Sequence, residues 1–176
     1  AVLVTDASGN AVPNQSLNVA VYPKRYSKGI WARYPVTGSF KRWLAVRSTT
    51  AANDCGTEDI NRNGILDTGE DANNDGQLTP GNVVSVERVI TANSEGIAYF
   101  NLVYPREYAP WVDIQIVVSG AAGGTENQTY RDYTLDVLSD DVTDETVLPP
   151  ANPWGYDAPF DETTNTFTAN DFCTIP

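Results

Sequence analysis

Helical periodicity is missing from nearly the whole of this chain; what recurs is a short run alternating apolar and polar residues, cut off by Gly, Pro, Asn or Asp. A side-chain period of two is the signature of a strand with one buried face, so the expectation is an all-β fold. Val2 to Thr5 reads as a first strand, closed by the turn Asp6-Ala7-Ser8-Gly9-Asn10. Leu17 to Tyr22 follows, with Leu17, Val19 and Val21 on one face. Residues 30 to 47 carry enough apolar side chains for two strands, divided at Pro35 and Gly38. Val83 to Thr91 alternates again, and the turn Ala92 to Gly96 leads into Ile97 to Tyr104, where Ala98, Phe100 and Leu102 share a face. Trp111 to Val118 and Thr129 to Leu138 complete a set of about seven strands, enough for a two-sheet β-sandwich. Residues 139 to 176 are rich in Asp, Thr, Asn and Pro, with scattered anchors at Trp154, Phe160 and Phe172, and are expected to form an irregular tail. The expected organisation is one domain over residues 1–138, with an insert at 55–82, and an acidic tail at 139–176 packed on it.

The 176 residues, 41% hydrophobic, suffice for one filled core. No run approaches the roughly 20 apolar residues of a membrane helix. The first residues lack the basic, apolar, small-residue order of a signal peptide, which suggests a mature or excised form. His and Met are both absent, which removes the commonest general base and the imidazole sites of transition metals. Cys55 and Cys173 are the only cysteines. Paired, they suit an oxidising, extracellular compartment, and by the loop-entropy model they would contribute about 4 to 5 kcal/mol. The alternative is two buried thiols.

The strongest chemical pattern is DINRNGILDTGE at 59 to 70, which fills D-x-[DN]-x-[DN]-G-x₅-E completely. Asp59, Asn61 and Asn63 would supply side-chain oxygens, Ile65 its carbonyl, Asp67 a direct or water-mediated contact, and Glu70 a bidentate carboxylate, with Gly64 permitting the reversal. Directly behind it DANNDGQLTPGN, 71 to 82, repeats the frame with Asp71, Asn73, Asp75, Gly76 and the Gln77 carbonyl. Its last position is Asn82, not Glu, so the second loop must bind more weakly or borrow a carboxylate from elsewhere. Between Asp54 and Asn82 stand seven acidic residues and one basic, half of the chain's formal charge of −12. Carboxylates so crowded repel one another unless a cation sits among them. One or two calcium ions are the expected cofactor, the other reading being a solvated acidic loop. No amphipathic helix flanks either frame, which argues against a sensor that opens on binding.

Two segments carry a family resemblance. VTDASGNAVPNQSLNVAV and TANSEGIAYFNLVYPREYAPWVDIQIVVSG resemble the opening and later strands of bacterial Ig-like domains of group 1, the invasin and intimin type, over roughly the first 22 residues and 89 to 119. The resemblance implies an immunoglobulin-like sandwich serving as a spacer or adhesive tip on a bacterial surface protein. The insert at 55 to 82 and the long tail depart from that module. The back-to-back frame is similar to the calcium repeats of dockerins and of thrombospondin type 3 segments, and that similarity implies a structural ion.

Charge is segregated along the chain. Lys24, Arg25, Lys28, Arg33, Lys41, Arg42 and Arg47 stand together without an acidic residue, and beyond Arg131 there are ten acidic residues and no basic one. Either the tail packs along the basic strands of its own molecule, or neighbouring domains or subunits meet through these faces, or the segment binds an anionic glycan or nucleic acid. In the last case Lys24, Arg25, Tyr26, Lys28, Trp31 and Arg33 would form the contact, with Tyr34 and Trp43 as further stacking surfaces; a glycan is the favoured ligand and nucleic acid is not expected. Without His a Ser-His-Asp arrangement is impossible, and Asp113 and Glu107, two carboxylates outside the calcium frames and the tail, form no evident catalytic pair. The expected function is therefore a non-enzymatic, calcium-stabilised structural or adhesion module, with a lectin-like module next and a polysaccharide-acting enzyme last.

Overall fold

The computed structural model describes residues 1–48, 55–122, 125–171 and 173, so Phe172 lies outside the described residues. Among the described residues strand accounts for 38% and helix for 4%, and the fold is all-β with several antiparallel sheets. The strands in order are β1 (Val2–Leu3), β2 (Ser16–Tyr26), β3 (Gly29–Tyr34), β4 (Arg42–Arg47), β5 (Cys55–Gly56), β6 (Ser85–Val86), β7 (Val89–Thr91), β8 (Ile97–Ala98), β9 (Leu102–Val103), β10 (Val112–Ala122), β11 (Thr125–Thr134), β12 (Phe160–Asp161) and β13 (Thr166–Phe167). A 3₁₀ turn at Arg106–Tyr108 and one helical turn, Ser139–Val142, complete the elements. The largest sheet has the order β11-β10-β2-β5, with β7 also pairing with β2.

The chain divides into two compact units, one built from residues 1–22, 84–104 and 114–133, the other from 23–83, 105–113 and 134–176. In the first, Leu17 and Val19 of β2, Ile90 of β7 and Val118 of β10 bury against Val4, Ala92 and Ala98, with Val2, Val86, Phe100 and Ile116 packed around them. Residues from the large sheet thus face residues from the β1–β8 pair across one apolar layer, which is the sandwich arrangement. The period of two holds closely: Ala98 is fully buried while its neighbour Tyr99 and, further on, Val103 face solvent. Gly96 closes the preceding turn at φ +75°, and a Cβ there would press on the Val4 carbonyl and the Ala11 side chain.

Several strand limits differ from the sequence reading. Val83 to Thr91 is not one strand but two, because the chain changes sheet at Glu87-Arg88: β6 pairs with β9 and β7 with β2. Ile97 to Tyr104 is likewise divided into β8, on β1, and β9, on β6. β2 runs four residues beyond Tyr22, through Pro23, to pair with β5, and β11 begins four residues ahead of Thr129.

In the second unit β3 and β4 form a six-residue antiparallel hairpin from Gly29↔Arg47 to Tyr34↔Arg42, divided where Pro35 and Gly38 indicated. Trp111, Val112 and Leu135 are fully buried there, and the Trp31 ring stands edge-on to Trp111. The described residues of the tail run mostly as turns and irregular chain, with one short pair, β12 on β13, where Phe160, Phe167 and Tyr156 pack as an aromatic cluster.

Candidate metal centre

The first acidic frame folds as a compact loop held by its own side chains. Both carboxylate oxygens of Asp59 accept backbone N–H groups, from Asn63 at 2.9 Å and Gly64 at 3.0 Å. The Asn61 side-chain oxygen accepts the Asn63 N–H at 3.0 Å, and that of Asn63 accepts the Ile65 N–H at 2.7 Å. Glu70 reaches back across the loop: Oε1 takes the N–H groups of Ile60 and Asn61, and Oε2 that of Asp67. Asp67 is held below the usual carboxylate range by the side-chain amides of Asn61 and Asn63, each 2.7 Å from its Oδ2. Arg62 and Gly64 both adopt positive φ, the reversal for which the glycine was singled out.

The second frame repeats this geometry position by position. Asp75 and Gly76 donate to the two oxygens of Asp71, Asp75 also to the Asn73 oxygen, and Gln77 to Asp75 Oδ1 at 2.7 Å. Positive φ recurs at Asn74 and Gly76, twelve residues after Arg62 and Gly64. The missing Glu at position 82 is replaced by Glu58. Its Oε1 accepts the N–H groups of Ala72 and Asn73, and its Oε2 that of Thr79, the same three positions that Glu70 serves in the first loop. Even the backbone of the two glutamates matches, the Glu58 N–H donating to the Thr79 carbonyl as the Glu70 N–H does to that of Asp67. Carboxylate oxygens of Glu58, Asp71 and Asp75 all lie within 4.8 Å of one another, an acidic group that could hold a metal ion.

Glu58 escaped the reading of the sequence because it precedes the first frame instead of ending the second. A signal was present, since a Glu stands immediately before each frame, Glu58 before Asp59 and Glu70 before Asp71. Each therefore has the same distance to the loop that begins after it, and each is drawn to one loop's open end.

Tyr26 lies beneath the second loop. It is 4% exposed, pairs across the sheet with Cys55, and packs at a tilt against Trp154 with ring centroids 4.6 Å apart. Burial pushes its phenol up to about 12, the Glu58 and Asp75 carboxylates add to the rise, and a hydrogen bond with Asn73 opposes it. Cys55 is bonded to Cys173, so the alternative of two free thiols is set aside.

The basic aromatic segment is engaged inside its own unit. Lys28, 3% exposed, pairs with Asp157 at 3.0 Å, and Arg33 with Glu145 at 2.8 Å. The indole N–H groups of Trp31 and Trp43 donate to the carbonyls of Pro150 and Asp144. Arg25 and Arg47 both approach Asp113, which also accepts the Thr134 hydroxyl at 2.5 Å. Lys24 gives its carbonyl to the Thr57 N–H. Of the six residues expected to offer a contact surface, Tyr26, Lys28 and Trp31 are buried. The first of the three explanations of charge segregation, packing of the acidic tail on the basic strands, describes these contacts.

Comparison with family models, with curated proteins and with solved structures returned no match for this chain.

Proposed function

We propose that this chain is a non-enzymatic extracellular module, an Ig-like structural or adhesion unit of a bacterial surface protein or fibre, stiffened by calcium bound in the two loops between Asp59 and Asn82. The observation that carries the reading is the repeated loop geometry closed by two glutamates, Glu70 for the first loop and Glu58 for the second. Donors that are all carboxylate, amide and carbonyl oxygen favour a hard cation. A twelve-residue frame with a bidentate acid at its end suits the six to eight ligands of calcium better than the strict octahedron of magnesium.

Two further observations support the setting. A disulfide between Cys55 and Cys173 fits an oxidising compartment, and extracellular calcium is abundant enough to fill even a modest site. In the absence of flanking amphipathic helices the ion would lock a loop in place without exposing a groove. A glycan-binding role for residues 24–47 is disfavoured by the burial of Tyr26 and Trp31 and the pairing of Lys28 and Arg33 with the tail.

Calorimetric titration with calcium, run beside thermal melting with and without a chelator, tests the proposal. The expected result is two bound ions and a melting temperature raised by about 5 to 10 °C at saturating calcium, which corresponds to roughly 2 to 3 kcal/mol of linked binding free energy. No heat of binding and identical melting curves would overturn it. Turnover of a polysaccharide by the purified chain would replace it with the enzymatic reading.

A further inference from the structure

We infer that the Cys55–Cys173 disulfide selectively controls cation binding at the second loop, leaving the first loop nearly indifferent to its redox state. This rests on the calcium reading of the two loops and adds a regulation to it. The two loops differ in where their closing carboxylate comes from. The carboxylate that closes the first loop, Glu70, lies inside residues 59–70, and from outside that stretch the loop takes only backbone-level support, the Thr57 hydroxyl accepting the Asp59 N–H and the Glu58 carbonyl the Ile60 N–H. The second must import Glu58 from the segment upstream of the first, and Glu58 is only three residues beyond Cys55. Besides the disulfide, that segment is held by β5, two residues long and paired with Arg25 and Tyr26, and by backbone bonds from Thr57 to the Lys24 carbonyl and from Glu58 to the Thr79 carbonyl.

The tail reaches the second loop by another route that the same crosslink secures. Trp154 packs against Tyr26, Tyr26 is the cross-strand partner of Cys55, and its phenol hydrogen-bonds Asn73 of the second frame. Cys173 fastens the end of that tail to β5. A dithiol reductant would pass two electrons and two protons to the bond, yielding two thiols while its own sulfurs join as a disulfide. Residues 55–58 then keep their backbone pairing but lose the covalent tie three residues before Glu58, whose carboxylate must hold Ala72, Asn73 and Thr79 without it. Linkage makes the effect mutual, so an ion in the second loop must favour the oxidised form by the same factor.

The experiment isolates each loop by substitution in the full chain. Asp59→Ala leaves the second loop to bind, and Glu58→Gln leaves the first. Calcium affinity is measured for both proteins, oxidised and after treatment with dithiothreitol, with Cys55→Ser/Cys173→Ser versions as a second route to the uncrosslinked state. Uncrosslinking is expected to weaken binding about tenfold in the Asp59→Ala protein and by less than about twofold in the Glu58→Gln protein. Retained binding in the latter also reports that the region is still folded. Equal losses in both proteins, or no loss in the first, overturn the inference while the calcium reading stands. Should the oxidised wild-type chain bind no calcium, the reading itself falls and takes this inference with it.

Discussion

Glu58 and Glu70 make the same three backbone contacts in two different loops: each carboxylate gathers the N–H groups of the second, third and ninth residues of a twelve-residue frame. Glu70 ends the frame it closes, whereas Glu58 closes a frame that starts thirteen residues downstream. The peptide at 58–59 thus carries the last carboxylate of the second loop and the first of the first, and the peptide at 70–71 carries the converse pair. Both glutamates are buried to within 8% exposure, a costly place for a charge unless its lone pairs are filled.

One consequence is a clean division of stoichiometry. Glu58→Gln should weaken binding of a second ion by at least about tenfold and leave the first, and Glu70→Gln should do the reverse, each titrating with one tight calcium where two are expected for the wild type. Calorimetry reads both numbers directly. If Glu58→Gln still binds two ions with unaltered affinity, the second loop is closed by some other group.

Tyr26 offers an optical readout of the second loop alone. Its phenol bonds to Asn73 and lies beside Glu58 and Asp75, so a luminescent lanthanide replacing calcium there should be sensitised by tyrosine excitation. Tyr26→Phe is expected to remove most of the tyrosine-excited terbium emission from the Asp59→Ala protein and little of it from the Glu58→Gln protein. Unaltered emission in both would place the ion away from Tyr26.

How much of this was written in the sequence can be traced residue by residue. The alternation at Leu17-Val19 and at Ala98-Phe100 is visible because a one-residue slip would expose every inward side chain, so the pattern must be kept. The changes of sheet at Glu87-Arg88 and after Ala98 are not visible, since a strand that moves between sheets keeps its alternation and loses only its partner. The turn of the first frame could be read because the side chains that shape it, Asp59, Asn61, Asn63 and Glu70, are local. Glu58 was harder to read, because its role depends on a return of the chain that brings Ala72, Asn73 and Thr79 under it, and its local sign was only the recurrence of a Glu before each frame. Trp31 and Lys28 posed the opposite problem: an aromatic and a cation in a basic run look like a surface until the tail that covers them is placed.

The raised phenol of Tyr26 fixes the sign of a pH effect in the calcium-free protein. A group whose folded value lies above its unfolded one, here about 12 against 10, gives its full stabilisation below about pH 10 and loses it as pH rises toward 12. Stability should therefore fall over that interval, and Tyr26→Phe should flatten part of the fall. Denaturant midpoints for the two proteins between about pH 9 and 12 provide the comparison; parallel curves would mean that Tyr26 titrates as an ordinary surface phenol.

Trp31 separates the structural from the glycan-binding reading of the basic segment. Its side chain is 7% exposed, its indole N–H donates to the Pro150 carbonyl at 2.9 Å, and its ring packs edge-on against the fully buried Trp111. Truncation removes a large apolar surface from a closed layer and leaves the Pro150 carbonyl without its donor, so Trp31→Ala should cost about 3 to 5 kcal/mol of unfolding free energy. Trp31→Phe keeps a ring of nearly the right shape but not the donor, and should cost about 1 to 2 kcal/mol. A stacking surface for sugar would behave otherwise: removal of an exposed indole leaves stability within about 0.5 kcal/mol and abolishes glycan binding. Chemical denaturation of the two variants beside a glycan array for the wild type decides between them, because a stable Trp31→Ala protein that has lost a glycan ligand is an outcome that a buried Trp31 cannot produce.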